Sequence, residues 1–378
     1  LERAEWSLRR ALDLDPSLAI GYAWLSSALQ EQGRNEEANA VQEQGLLVDP
    51  LNPVLSAYIA GRLNELGERE RERAERLLLR LIYLPARPAN AYVVLWWHYF
   101  TTGQFDNTLL LANDNIRAYV ASEGTHSRHA GFLAWDYERL GLTEDADYWM
   151  ADAMAHTPQP EQKFFYKNWQ LRIRGDLPGI RTEINKLQTA LGTDIDGLQG
   201  IYAAMYAAAN ISVANFDMGI DVFENAFDSE SLPIVYDMGI FQGLGFSQVL
   251  AYAYQQVGRD DEADVLLNRL HEQLNTYVVE ENIDFGPLHH VRAQNFGLRG
   301  DFDAAADALE AAIKAGWSRY IWVMNDPTWA ETITHPRIAR MLDDVKVELE
   351  RQRAVVEQAD AEHDFRAEFA AMQSAPGD

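Results

Sequence analysis

The sequence predicts an all-α solenoid of about eight helix-turn-helix repeats, closed by a C-terminal capping segment. Three observations carry that expectation. Two copies of one helical phrase, Ala4 to Pro16 and Ala38 to Pro50, lie 34 residues apart, and Gly33 and Gly67 repeat the same interval. Apolar residues between these marks recur at helical spacing rather than in strict alternation. With 47% hydrophobic residues among 378, each unit has enough apolar surface to bury one face against its neighbours. A solenoid grows by adding units, so the length alone does not count domains.

The elements follow in order. LERAEWSLRRALDLDP reads as the second helix of a repeat that lacks its first, so the chain is expected to be a fragment or a processed product, with any signal or anchor upstream. Residues 19 to 50 give the clearest unit. Tyr22, Leu25, Ser26 and Leu29 share one helical face, Gly33 and Asn35 turn the chain, and Ala38 opens a second helix that runs to Pro50. Small residues at Ser26 and Ala38 let the two helices approach closely. This pattern resembles the tetratricopeptide repeat (TPR), and the resemblance implies a right-handed superhelix with first helices on the concave side and second helices on the convex side.

The same grammar returns with turns at Gly67, Gly103, Gly141, Gly175, Gly258 and Gly300. Leu133, Ala134 and Tyr137 precede Gly141, Leu250, Ala251 and Tyr254 precede Gly258, and Ala293 and Phe296 precede Gly300. TPR-like repeats are thus expected over 1–192 and 247–316. Residues 193–246 read as an irregular helical repeat that turns near Asn215 and Phe216, with a long connection from Asp228 to Gly245. After Gly316, residues 317–378 form an aromatic cap (Trp317, Tyr320, Trp322, Trp329) and a terminal amphipathic helix carrying Ile338, Leu342, Val345 and Leu349, which hides the last apolar face. Asp326, Pro327, Trp329, Pro336 and Ile338 resemble the end of TPR ectodomains in bacterial membrane-anchored transcription regulators and adenylate cyclases.

Composition excludes several classes. A formal charge of −26 repels a nucleic-acid backbone, and GERERERAER at Arg69 to Arg76 reads as a solvated helix face laced with ion pairs. The absence of cysteine removes disulfides, thiolate metal sites and cysteine nucleophiles together. No apolar run reaches the roughly 18 residues of a membrane span, so a membrane would be met only through a segment upstream of Leu1. The compartment stays open between bacterial periplasm and cytoplasm.

Local signatures of catalysis are lacking: there is no HExxH, GxSxG or GxxxxGK[ST]. His289 and His290 are adjacent and diverge by about 100° on a helix, so they could not share a metal. His126 and His129 have no acidic pair beside them, Asp194 and Asp196 lack the later ligands of a calcium loop, and the glycines at Gly243 are too few for a phosphate cradle. No metal and no cofactor is expected, and no enzymatic activity.

Aromatics are the informative residues, with ten Trp, sixteen Tyr and fifteen Phe. From the family geometry, the inner side of the first helices is expected to present Trp24, Tyr58, Trp97, Trp135, Phe165, Tyr166, Trp169, Tyr202, Tyr206 and Tyr252, an apolar groove suited to a peptide. Arg128, Arg139 and Arg172 lie on the same helices and are placed to orient a carboxylate. Around Gly175 the register puts Lys167 and Asn168 at core positions, which would turn Phe164, Phe165 and Trp169 inward instead. The leading expectation is a non-enzymatic scaffold holding a protein or peptide partner in this groove. The alternative is a sensory ectodomain for a small molecule or envelope partner, signalling through a membrane-anchored effector.

Overall fold

The computed structural model describes residues 2–63, 67–82, 89–120, 126–227, 245–280 and 283–374, and among them there is no strand. The chain divides into two compact units, Leu1–Tyr99 and Phe100–Asp378. In the first, α1 (Glu2–Leu14) precedes the hairpins α2 (Ala19–Gln30) with α3 (Asn35–Val48) and α4 (Pro53–Leu63) with α5 (Glu68–Ile82). Helix α6 (Ala89–Thr101) follows and ends just past the division. The second unit holds α7 (Phe105–Val120) and the hairpins α8 (His126–Arg139) with α9 (Thr143–Ala155), α10 (Pro160–Arg174) with α11 (Leu177–Leu191), and α12 (Gly200–Ser212) with α13 (Phe216–Ala226). Hairpins α14 (Phe246–Gln256) with α15 (Asp260–Asn275) and α16 (Gly286–Leu298) with α17 (Phe302–Lys314) come next. Short α18 (Tyr320–Asn325), long α19 (Pro336–Glu362) and α20 (Phe365–Ser374) complete the chain.

The turns explain why hairpins form where they do. All seven turn glycines read from the sequence take positive φ, from 70° at Gly103 to 107° at Gly67. The residue after the glycine then donates its N–H five residues back, as in Arg34 to Leu29 O at 3.0 Å, Leu142 to Tyr137 O at 2.9 Å and Asp301 to Phe296 O at 3.0 Å. This is the helix-ending motif that glycine favours, because a Cβ is strained in the left-handed region. The irregular repeat makes the same bond, Asn215 to Asn210 O at 2.9 Å, around Ala214 at φ 62°, the lone positive-φ residue other than glycine among those described. The turn therefore falls one residue before the expected Asn215 and uses an alanine where its neighbours use glycine. Of the long connection from Asp228, residues 228–244 lie outside the described residues.

In the first unit the repeat core is Leu25, Leu29, Ala38 and Val41, with Leu8 and Leu12 of α1 packed against it. Helix α1 thus packs on the hairpin of α2 and α3. Gly45 is a close-approach point, where a Cβ would fall 2.7 Å from Leu55 and 2.8 Å from Tyr22.

The second unit seals both its ends with its own C-terminus. Trp317, Val323, Trp329, Ile338 and Leu342 cover Ala305, Leu309 and Ala312 of α17, the apolar face expected to need a cap. The same segment goes further than a cap. Helix α19 packs on α7 as well as α17, and the Gln352 side chain accepts from the Phe105 backbone N–H at 2.9 Å while donating to Gly103 O at 2.8 Å. One glutamine so satisfies a free N–H at the start of α7 and a carbonyl of the preceding turn. On α20, Phe365 and Phe369 pack 5.2 and 4.7 Å from Trp149 of α9, and Arg366 pairs with Asp145 at 3.1 Å.

Candidate functional site

The turn glycines act as a ruler for the first helices. Trp97, Trp135, Trp169 and Tyr252 each stand six residues before their turn glycine, and Trp24 and Tyr58 stand nine before theirs. In α10 this row has a visible neighbour. The Trp169 ring lies 4.7 Å from Trp322 of α18, and the Arg172 guanidinium sits 4.7 Å over the same Trp322 ring. The inner side of α10 is therefore already occupied by a short helix of the same chain.

That contact corrects the expected open groove in the second unit. Trp135, Tyr166 and Trp169 are each 3% exposed and Tyr206 2%, so they are interior side chains rather than the lining of a groove. Trp135 packs on Trp169 at 5.4 Å and donates its indole N–H to Tyr166 O at 3.1 Å. Phe164 and Phe165 are buried with them, as the register around Gly175 implied. Tyr206 stacks edge-on to Phe164 and its hydroxyl accepts from Gln188 at 2.7 Å. Tyr202 and Tyr252 are half-buried, with Phe165 6.2 Å from the first and Phe216 6.1 Å from the second. Trp135, Tyr166 and Tyr206 are thus buried by rings and side chains of neighbouring repeat helices, and Trp169 also by the segment after Gly316, where Asn325 donates to Ile173 O at 2.7 Å and a Cβ at Gly175 would fall 2.6 Å from the Asn325 side chain.

The arginines are corrected with them. Arg172 is buried, and burial lowers its pKa against the opposing pull of the Asp326 carboxylate. Asp326 in turn accepts from the Trp322 indole at 3.1 Å and from Thr328. Arg139 is buried in an ion pair with Asp136 at 2.9 Å, lies 4.5 Å over Phe100, and is lowered to about 10 by loss of hydration. Arg319 approaches Phe100 at 5.0 Å and is lowered to about 9 by burial and by Arg139. These cations hold the cap to the repeats through aromatic faces and are not open to a ligand carboxylate. Sequence reasoning missed Arg319, Asp136 and Asn325, whose partners lie far away in the chain or on a buried face that carries no periodic mark. The Arg128 side chain and those of Asp194 and Asp196 lie outside the described residues.

His289 and His290 are core residues. His289 meets Asp284 at 3.3 Å, while His290 is stacked between Trp317 at 4.9 Å and Trp329 at 5.0 Å, and burial holds its pKa well below the usual imidazole value. Among the described residues no group of three or more His, Asp or Glu is placed to hold a metal ion. Also among them, no helix is long and apolar enough to cross a membrane.

The first unit treats the same row differently. On α2, Ile20, Trp24, Ser27 and Gln30 follow one another at helical spacing and none is buried; Trp24 is 55% exposed. On α4 the residue six before the turn is Gly61, and a Cβ there would meet nothing within 4 Å. Trp97 on α6 is half-buried, 6.2 Å from Trp96. The Tyr58 side chain lies outside the described residues. Helices α2, α4 and α6 carry a single Arg or acidic residue between them, Arg62, so this wall is apolar and nearly uncharged.

Successive helix hairpins closed by these turns make the described part of the chain an all-α repeat fold. No protein-family model matches it, and no curated protein does. Among 31 matching chains of solved structures, one belongs to the structure of Naa15/Naa10 bound to HypK-THB, at 16% identity and a TM-score of 0.30. That alignment covers 93% of this chain and 60% of the other, so this chain spans less than two thirds of it. Another is the P58(IPK) TPR domain, at 12% identity and a TM-score of 0.22, covering 94% of this chain and 93% of that one.

Proposed function

We propose that this chain is a non-enzymatic scaffold that holds a segment of a partner protein against the inner wall formed by α2, α4 and α6. The observation that carries the reading is Trp24, a 55% exposed indole on a helix without charged residues. Indole offers large contact area at low entropic cost, which is why exposed Trp is enriched where proteins meet. The second unit supports the kind of element such a wall could take: a short helix, α18, whose Trp322 packs on Trp169 of α10, the first helix of its hairpin. A wall with so little charge favours a partner helix with an apolar face over an acidic or phosphorylated peptide.

The experiment places a photo-crosslinking residue at Gln30, exposed on the same face as Trp24, in the organism that makes the protein. A discrete adduct that disappears with Trp24→Glu is expected. No adduct, one that survives Trp24→Glu, or equal labelling from a crosslinker at Arg76 on the outer helix α5 would reject the wall as the binding surface.

A further inference from the structure

A cavity of about 410 Å³ opens among α13, α14 and α15 of the second unit. Its base is buried and apolar: Phe223 is fully buried, Leu250 1% exposed and Leu266 7%. Two further rings, Phe227 and Tyr254, complete the lining, with Phe223 and Phe227 6.2 Å apart and tilted by 40°. Val265, an apolar side chain that is 69% exposed, also lines it and marks its mouth. Cavities that hold small molecules are of this size, mostly apolar, and edged by a few polar groups.

The polar groups decide the class of ligand. Two carboxylates, Glu224 and Glu262, and two guanidiniums, Arg259 and Arg269, line the cavity, so its formal charge is zero. Arg259 binds Glu224 at 2.7 Å and Glu262 at 2.5 Å, and lies 4.4 Å over the Tyr254 ring. The Tyr254 hydroxyl donates to Glu224 at 2.9 Å and stays protonated, its pKa pushed up to about 12 by burial and by that carboxylate. Arg259, Tyr254 and both glutamates are thus engaged with one another. A charged ligand would lose its hydration and would have to break this set to be compensated. An uncharged ring would gain the faces and edges of three aromatic side chains and break nothing.

We infer that this cavity is a binding site for an uncharged, flat, apolar small molecule, seated among Phe223, Phe227 and Tyr254. The site is independent of the wall of the first unit and stands or falls separately from it.

The test uses the full chain and N-phenylnaphthylamine, an uncharged dye that fluoresces on entering an apolar site. Saturable binding of one dye per chain is expected, weakened at least tenfold by Val265→Trp, which plugs the mouth from an exposed position that the fold does not depend on. Val347→Trp, at a 65% exposed position on α19, is expected to leave binding unchanged. A sulfonated analogue of the dye is expected to bind at least tenfold more weakly than the uncharged one. Absence of saturable binding, or equal affinity of Val265→Trp and wild type, would overturn the site. Equal or tighter binding of the sulfonated dye would overturn the ligand class.

Discussion

Residues 1–99 and 100–378 are built from the same hairpins, with the same glycine turns, and they treat their inner walls in opposite ways. Trp24 in the first unit is 55% exposed, whereas Trp135 and Trp169 in the second are 3%. Among the turn glycines, Gly33 of the first unit faces open space, whereas a Cβ at Gly175 of the second would meet Asn325. The first unit carries 14 acidic and 11 basic residues, a net of −3, so nearly all of the chain's −26 belongs to the second. The repeat pattern therefore does not decide whether a wall is a binding surface. At α10 the wall is covered by a segment more than a hundred residues away, whose Trp322 and Asn325 lie against Trp169 and Ile173.

The largest effect expected from this difference is on stability. Trp169→Ala removes a buried ring packed on Trp135 and Trp322 and is expected to cost about 3–5 kcal/mol in urea unfolding, whereas Trp24→Ala, at an exposed site, is expected to stay within about 0.5 kcal/mol. Equal losses would break the comparison.

A second effect depends on pH. His98 in the first unit is buried, and burial, with Arg71 nearby, lowers it to about 4. Its folded pKa lies below its unfolded one, so the unfolded state takes up the proton first. Stability is then lost as pH falls from about 6.5 towards 4, by up to about 3 kcal/mol from this group. Unfolding curves of His98→Gln, taken against wild type at pH 7 and pH 4.5, are expected to show a smaller drop for the variant. Parallel curves would mean that His98 is hydrated.

Two substitutions should act in the opposite direction and more weakly. Ala214→Gly relieves a left-handed alanine at an exposed turn and is expected to add about 0.5–1 kcal/mol. Gly61→Ala replaces a helical glycine that faces open space, and is expected to add about 0.5–1 kcal/mol. If Gly61→Ala destabilises instead, the space in front of α4 is not open and the first unit resembles the second. Thermal denaturation resolves both.

How far the sequence could be read follows from the range of each interaction. The hairpin turns were legible because glycine at a left-handed turn is a local requirement, visible at Gly33, Gly141 or Gly300 without any neighbour. The Ala214 turn was nearly legible, displaced by one residue because the marker was missing. The division after Tyr99 carried no compositional mark, since repeat helices continue on either side of it. The role of the inner aromatics was not legible, for Trp24 and Tyr166 both stand nine residues before a turn glycine, yet the first is exposed and the second is packed on Trp135 of the neighbouring hairpin. A contact between Trp169 and Trp322, or between Ile173 and Asn325, leaves no periodic trace in a single sequence. Arg139 and Arg172 were misread for the same reason, because an arginine two or three residues before a turn reads as solvent-exposed until its covering element is known.

The central claim, that one inner wall is open and the other is filled by the chain itself, is tested most directly by oxidative footprinting of the tryptophans read out by mass spectrometry. Trp24 is expected to oxidise at least tenfold faster than Trp135 and Trp169 in the native chain, and Trp169 to become reactive when Trp322 is replaced by alanine. Oxidation of Trp169 as fast as Trp24 in the unaltered protein would contradict the account.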